Sequence, residues 1–220
     1  MNIIKNLVDK TKYSIKCPYA MTATRIVVHE TANDASAQNE INYMRNNNLE
    51  TSFHFAVDDK EIVQGIPLDR NGWHAGDGNG KGNREGIGIE ICYSKSGGER
   101  WEKAVDNAAR FIAELLKERN WGIDKVTKHQ DYSGKNCPHR ILSDYGWGNF
   151  INRINSYLKE MNKMKTNDNT PDTYAKEAVE WAIKNGILKG TDEGDYKLHS
   201  NLTRQDALVF LYRAIKTNEI

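Results

Sequence analysis

Apolar residues in the first part of the chain fall into short runs that are separated by polar loops. The run RIVVHET at residues 25–31 is rich in β-branched side chains, which is typical of a buried strand. Residues 52–67 contain two apolar runs around a polar turn at 58–60, which predicts a hairpin. The run GIGIEICYS at 86–94 alternates apolar residues with others and predicts a third strand.

Other segments place apolar side chains at the spacing of an amphipathic helix. The pattern predicts helices at 36–47, at 102–120 and near 144–159. The middle helix has one apolar side, formed by Ala104, Val105, Ala108, Ile112, Leu115 and Leu116. Strands interleaved with helices predict an α/β domain, with a mixed central β-sheet flanked by helices.

The texture of the sequence changes after about residue 160. Residues 161–172 are polar, contain a proline and have no apolar periodicity, which is typical of a linker. Residues 173–220 return to helical spacing and predict a small all-α domain. The predicted organisation is a domain at 1–160, a linker at 161–172 and a helical C-terminal domain at 173–220.

Capping signals support a pair of helices in this last segment. Gly186 stands where a C-cap glycine belongs, after apolar positions at Ala175, Ala178, Val179, Ala182 and Ile183. Thr203 is a suitable N-cap for the second helix, with Asp206 three residues later. The apolar stripe of that helix consists of Leu208, Val209, Leu211, Tyr212 and Ile215.

Composition and charge narrow the possible functions. The chain of 220 residues has 31 basic and 30 acidic residues, so its formal charge of +1 gives no reason to expect a nucleic-acid partner. The sequence has no apolar stretch of membrane-spanning length, and no apolar run follows its first charges, so we expect neither membrane insertion nor a secretory signal. The odd count of cysteines argues against a disulfide framework.

The segment KHQDYSGKNCPHR at 128–140 concentrates imidazole, thiol and ammonium groups around a glycine. A catalytic zinc ion takes three protein ligands of this kind and keeps a fourth position open. His129 and Cys137 can fold back on one ion, and His29 lies near the end of a predicted strand. Spacing alone does not choose the ligands, because His54, His74 and His139 are also available.

The glycine-rich loop GDGNGKGNREG at 76–86 is a second candidate, for binding phosphate through backbone amides. It lacks the order of strand, glycine loop and helix, and it lacks a Gly-Lys-Ser/Thr ending. A nucleotide site is therefore not expected.

Five motifs that occur in order carry a family resemblance. They are RIVVHET, SFHFAVDD, GWHAGDG, GIGIEIC and KHQDYSGKNCPHRI. Together they resemble the type-2 N-acetylmuramoyl-L-alanine amidases, which include phage endolysins, bacterial autolysins and, more distantly, peptidoglycan recognition proteins. The resemblance covers about residues 1–160.

The resemblance implies a fold, a reaction and a ligand set. It implies hydrolysis of the amide bond between N-acetylmuramic acid and L-alanine in peptidoglycan. One zinc ion per chain would be held by His29, His129 and Cys137. By the same resemblance, Glu90 matches the general base and acid of the reaction, and Lys135 matches the residue that stabilises the tetrahedral intermediate.

The resemblance also implies a substrate cleft. His54, Trp73 and His74 match positions that line the cleft in the family. One departure concerns a tyrosine that some members place just before the second histidine. This chain has Phe53 there, which cannot transfer a proton, so the resemblance leaves Glu90 as the acid and base.

Residues 174–215 resemble one S-layer-homology repeat, a module that binds cell-wall polymers. On this resemblance Trp181 and Arg204 are candidates for contacting a secondary cell-wall polymer. The sequence alone favours Trp181 as a core residue of the small domain over a ligand platform, whereas Arg204 could equally meet an acidic neighbour. A single repeat is also compatible with homodimer formation or with a purely structural helical appendage.

The endolysin resemblance implies a location. Such an enzyme waits in the cytoplasm until a holin-type lesion releases it to the cell wall. Two other functions share the fold: a non-catalytic peptidoglycan-binding protein, and a cytoplasmic amidase that recycles muropeptides. The composition, rich in asparagine and lysine, suggests a Gram-positive source of clostridial type.

Overall fold

The computed structural model describes residues 3–163, 169–191 and 194–217. The chain forms two compact units, Met1–Leu158 and Lys159–Ile220. The first unit contains a six-stranded mixed sheet and the second is helical, so the predicted fold class is confirmed. The predicted domain boundaries at 160 and 172 stay a prediction, and residues 164–168 of the predicted linker lie outside the described residues.

The strands of the sheet run in the order β1-β4-β3-β5-β2-β6. Their bounds are β1 Ile3–Lys5, β2 Arg25–Glu30, β3 Phe55–Val57, β4 Ile62–Gln64, β5 Gly86–Ile91 and β6 Val126–Lys128. The pair β3–β4 is the predicted hairpin and is antiparallel, whereas β2 is parallel to both β5 and β6. The centre of the sheet is therefore parallel and buried, as its near-continuous apolar strands require.

Helices surround this sheet and also build the second unit. The α-helices are α1 Tyr13–Lys16, α2 Ala37–Asn46, α3 Lys81–Glu85, α4 Gly98–Glu118, α5 Gln130–Ser133, α6 Trp147–Lys163, α7 Lys176–Lys184 and α8 Arg204–Thr217. A π-helical turn, Ile141–Tyr145, precedes α6. Helix α2 packs against β3 and β4, and α4 packs against β3 and β5.

The main core lies between α4 and the sheet. The rings of Phe55 and Phe111 meet edge to face with centroids 4.8 Å apart. Phe55 pairs in register with Ile89, and both side chains are almost completely buried. Burying such a side chain contributes about 1.5–3 kcal/mol, so this layer holds α4 on the sheet and fixes the position of β5.

Some elements differ from the sequence pattern. Helix α4 begins at Gly98, one turn before the predicted start at 102, and the last helix of the first unit begins at Trp147 after the π-helical turn. Strands β1 and β6 were not predicted, because each has only three residues and neither adjoins a turn signal like the one that indicated the equally short hairpin strands β3 and β4.

The second unit contains the predicted helix pair, α7 and α8. Gly186 has a φ of 67° and donates its N–H to Ile183, as expected for a helix end. Thr203 and Asp206 cap α8 reciprocally: the Asp206 N–H donates to Thr203 Oγ1, and the Thr203 N–H donates to the Asp206 carboxylate.

The predicted apolar stripe of α8 is exposed within the described residues. Its exposed members are Leu208, Val209, Leu211, Tyr212 and Ile215. Trp181 on α7 is 51% exposed, so it is not a core residue of this unit. Two short helices present more apolar surface than they can bury against each other.

Across the described parts of the chain, none of the helices combines the length and the apolar character needed to cross a membrane.

Candidate metal centre and active site

The carboxyl ends of three parallel strands bring the candidate reacting groups together. His29 is the penultimate residue of β2, Glu90 is the penultimate residue of β5, and His129 directly follows β6. His29 and Glu90 are register partners. Ligand sites in sheets of this kind form outside the carboxyl ends of the strands, so the topology alone places a site here.

A tight loop returns Cys137 to His129. Helix α5 is capped at its C-terminal end by Gly134, whose φ of 74° lies in the left-handed region that favours glycine. Beyond this turn the Gln130 N–H donates to the Cys137 carbonyl at 3.0 Å, which closes the loop. The two candidate ligands are therefore held eight residues apart in sequence and adjacent in space.

The side chains of His29, His129 and Cys137 converge. His29 Nδ1 lies 3.0 Å from His129 Nδ1 and 4.0 Å from Cys137 Sγ. The three potential ligand atoms all lie within 4.8 Å of one another, and all three residues are buried. Zinc bonds of about 2.0–2.3 Å in a tetrahedron would separate nitrogen and sulfur ligands by roughly 3.3–3.6 Å. The donor set and its spacing therefore fit one zinc ion.

Burial sets the protonation of these groups. Burial, together with His74, His129 and Lys135, holds the pKa of His29 well below its usual value, so its ring is neutral and keeps a lone pair. Burial raises the pKa of the Cys137 thiol to about 12. A thiolate at this position therefore needs a cation beside it, which a metal ion supplies.

A cavity of 450 Å³ opens beside the cluster and is lined by Glu90, Lys135 and Cys137. Glu90 Oε2 is buried and has no hydrogen-bond partner among the described residues. Burial and the carboxylate of Glu40 raise the pKa of Glu90 to about 8, whereas the charge of Lys135 acts in the opposite direction. An unpaired carboxyl oxygen with a raised pKa at the wall of a cavity suits proton transfer near neutral pH.

Glu30 is a structural part of the site that the sequence interpretation missed. Its carboxylate is fully buried and accepts hydrogen bonds from Trp101 Nε1 at 2.7 Å and from the Arg140 N–H at 2.7 Å. The Ile141 N–H donates to it as well, at 3.2 Å. Glu30 therefore anchors the segment that follows Cys137. The signal was present in the sequence, since Glu30 closely follows the buried apolar run of β2, and a carboxylate buried there demands partners.

His54 is a buried structural residue in this fold. Its side chain is inaccessible, its Nδ1 accepts from the Gly88 N–H at 2.9 Å, and its Nε2 donates to the Arg70 carbonyl at 2.9 Å. Burial lowers its pKa to about 4, so the ring is neutral. Both ring nitrogens are used by the backbone, which leaves none for a substrate.

Trp73 and His74 also lie apart from the cavity. Trp73 is half-buried, and its ring packs edge to face on Tyr19 with centroids 6.0 Å apart. His74 lies against the ligand cluster, with its Nδ1 3.0 Å from His29 Nε2. Within the described residues, Phe53 lines the 450 Å³ cavity, and none of the three predicted cleft residues does.

The predicted wall-binding residues lie in the second unit. Trp181 is on α7, and Arg204 is the first residue of α8 and is exposed. Arg204 therefore presents its charge to solvent.

Comparison with known proteins places this site in a family. Residues 19–140 match the family described as N-acetylmuramoyl-L-alanine amidase, and residues 168–208 match the S-layer homology domain. The chain is 50% identical to the N-acetylmuramoyl-L-alanine amidase CwlA of Bacillus subtilis over 216 residues, which cover 98% of this chain and 79% of that protein. It is 65% identical to the B. subtilis amidase XlyB over 65% of this chain and 45% of that protein.

A solved structure agrees with these matches. The structure of PlyL superimposes with a TM-score of 0.69 at 55% identity, and covers 70% of this chain and 97% of that one. The relatives named here come from Bacillus, so they give no support to the clostridial source suggested by composition. Because the family match includes strands β2 to β6 and every residue of the buried cluster, the chain belongs to the N-acetylmuramoyl-L-alanine amidase family, hydrolases that act on the bacterial cell wall.

Proposed function

We propose that the chain is a zinc-dependent endolysin that hydrolyses the amide bond between N-acetylmuramic acid and L-alanine. The observation that carries this proposal is the buried cluster of His29, His129 and Cys137 beside a cavity, with the unpaired Glu90 oxygen on the cavity wall. A bound zinc ion would supply Lewis acidity to the scissile carbonyl and make water more acidic. No other cofactor is required for amide hydrolysis.

Glu90 is proposed as the proton carrier. Its free Oε2 accepts a proton from the attacking water and later delivers it to the nitrogen of the departing L-alanine. A raised pKa makes the carboxyl a competent acid in the second step, and the charge of Lys135 favours the ionised form needed in the first.

Lys135 is proposed to stabilise the negative charge that develops on the carbonyl oxygen. It is exposed at the rim of the cavity and already influences Glu90 and both histidines of the cluster electrostatically. Charge aimed at a developing oxyanion is often worth several kcal/mol. Phe53, which lines the same cavity, has no proton to transfer, and this supports a single carboxyl acting as base and acid.

The helical segment is proposed to bind a secondary cell-wall polymer. Support comes from the S-layer homology match at 168–208 and from the exposure of Trp181 and Arg204. An aromatic ring offers a stacking surface to sugars, and a guanidinium binds anionic groups. The proposal also includes the division into domains at 1–160 and 173–220. It further includes homodimer formation and release through a holin-type lesion.

The proposal is tested on intact Gram-positive peptidoglycan. The purified protein is incubated with walls, and the ends that it releases are identified by mass spectrometry, with chelator, without chelator, and with zinc restored. New L-alanine amino termini that disappear with chelator and return with zinc are expected. New ends that persist unchanged after complete metal removal would contradict zinc dependence, and walls that bind the protein without any new ends would contradict the enzymatic proposal.

A further inference from the structure

His74 makes a direct contact with one proposed metal ligand. Its Nδ1 lies 3.0 Å from Nε2 of His29, on the side of the His29 ring opposite the cluster. The two rings meet edge to face, with centroids 5.0 Å apart and an interplanar angle of 84°. On the far side, His74 Nε2 lies 3.3 Å from the Gly86 carbonyl oxygen. These three groups form a short hydrogen-bonded chain that ends at the metal centre.

The direction of this chain follows from the chemistry of its outer end. A backbone carbonyl can only accept, so the bond to Gly86 places the proton of a neutral His74 on Nε2. His74 Nδ1 is then bare and can only accept, which requires the proton of His29 to be on Nε2. His29 Nδ1 is therefore left with its lone pair, and this is the atom that faces His129 and Cys137.

The His74 ring is held in place independently of this bond. A Cβ at Gly88 would lie 2.7–2.8 Å from three of its ring atoms, so β5 approaches the ring with bare backbone. The backbone on either side is fixed too, because the N–H groups of His74 and Ala75 both donate to Asn83 Oδ1 at 2.8 Å. His74 is 7% exposed and Asn83 is 3% exposed. The ring has little freedom to turn away from His29.

We infer that His74 is a positioning residue for the metal centre: it fixes the tautomer and orientation of His29 so that Nδ1 is presented to the ion. This inference rests on the proposed zinc function and gives His74 a role other than contact with substrate. Outer partners of this kind raise the affinity of a metal site by roughly 10–100-fold in other proteins.

A matched pair of substitutions separates the hydrogen bond from mere packing. In His74→Asn the amide oxygen can occupy the place of Nδ1 and still accept from His29. In His74→Gln the amide nitrogen can occupy the place of Nε2 and donate to Gly86, but no acceptor remains near His29. His74→Leu removes both. Zinc affinity is measured by competition with a chromophoric chelator, after circular dichroism has shown that each variant is folded.

The expected result is a 10–100-fold loss of zinc affinity in His74→Gln and His74→Leu, with His74→Asn remaining close to the parent protein. Equal affinity in all variants would overturn the inference. An equally large loss in His74→Asn would also overturn it, because the lost property would then be packing.

A measurement without metal makes the test independent of the proposed function. Side-chain nitrogen NMR on the zinc-free parent protein reports which nitrogen of His29 carries the proton. The inference expects Nε2, and a proton on Nδ1 would overturn it even if every variant failed to fold. If the parent protein shows the Nε2 tautomer but does not bind zinc, the proposed function is contradicted and the hydrogen-bond assignment is still supported.

Discussion

His29 and Glu90 sit side by side on adjacent parallel strands, as register partners of β2 and β5. Neighbouring strands lie about 4.8 Å apart, and paired side chains of a parallel sheet point to the same face. A proposed metal ligand and the proposed proton carrier are thus held by the sheet itself at a separation that one amide group can span. Neither depends on a loop for its position.

This arrangement predicts the behaviour of Glu90→Gln. Glutamine keeps the size of the side chain and removes its ability to accept a proton, so hydrolysis of peptidoglycan should fall about 10²–10⁴-fold. Zinc content should stay at the parent level, since Glu90 is not in the ligand cluster. Both are measured on the same preparation. The control is Glu40→Gln, which removes a second carboxylate from the same cavity and should retain activity within about tenfold. Equal losses of activity in the two variants would contradict the role of Glu90 as proton carrier.

Cys137→Ser tests the ligand set. A hydroxyl is a much poorer zinc ligand than a thiolate, so the variant should lose most of its zinc during dialysis and most of its activity with it. Atomic absorption gives the zinc content per chain. Cys92→Ser is the control, because Cys92 is equally buried and lies outside the cluster. Full zinc occupancy in Cys137→Ser would remove Cys137 from the ligand set.

Lys135→Met should lower the rate of hydrolysis by about 10²–10³-fold, because charge near the developing oxyanion is removed. Lys135→Arg keeps the charge and should recover part of the loss. Lys128→Met changes the net charge of the protein by the same amount. Because Lys128 is paired with Asp131, this substitution should leave the rate of hydrolysis nearly unchanged. Initial rates on solubilised peptidoglycan fragments distinguish the three. A Lys128→Met variant as slow as Lys135→Met would show a general charge effect.

Glu30→Gln should destabilise the first unit by about 1–3 kcal/mol. Glutamine replaces one carboxylate oxygen with an NH₂ group. This donor would face another donor, either Trp101 Nε1 or the backbone N–H groups of Arg140 and Ile141. Urea unfolding gives the free energy. Glu99→Gln breaks only an exposed pair with Lys103 and should cost under about 1 kcal/mol. A Glu30 variant as stable as the parent would show that these three bonds contribute little.

The lowered pKa of His54 predicts that the stability of the fold depends on pH. Burial lowers its pKa to about 4 in the folded state, against about 6.5 in the unfolded chain. The contribution of His54 to the free energy of unfolding is complete above pH 6.5 and is lost as the pH falls toward 4. In this window His54 binds a proton in the unfolded chain but stays neutral in the folded chain. Between pH 7 and pH 4.5 this amounts to about 2 kcal/mol.

The measurement compares urea unfolding at these two pH values for the parent and for His54→Gln, which keeps a donor for the Arg70 carbonyl. The parent should lose about 2 kcal/mol more than the variant over this interval. Parallel losses in both proteins would mean that His54 is not the titrating group.

The sequence predicted the parts of the fold that repeat a pattern over enough residues. β2 and β5 were recognisable because each runs for six residues: β2 has the apolar β-branched run Ile26–Val28 at its centre, and β5 alternates glycine with isoleucine. β6 has three residues, and its strand character comes only from pairing with β2, a contact 100 residues away in the chain. Local patterns cannot reveal a pairing of that kind.

The candidate site was predictable in residue type but not in arrangement. The family motifs singled out His29, His129 and Cys137, and the structure brings these three together. The same motifs placed His54 in a cleft, yet it is sealed by backbone hydrogen bonds. A motif indicates that a histidine is required at a position. Whether substrate can reach that histidine depends on the backbone segments that pack around it, and these are distant in sequence.

The site also divides into a fixed part and a variable part. His29, Glu90 and His129 stand at strand ends, whereas other parts of the cavity lining come from helix α2 and from the loops around Asn33 and Leu49. Loops tolerate insertion and substitution far better than the strands that carry them. An enzyme built in this way is evolvable: its loops can diverge toward the chemistry of different cell walls while the reaction itself is inherited unchanged.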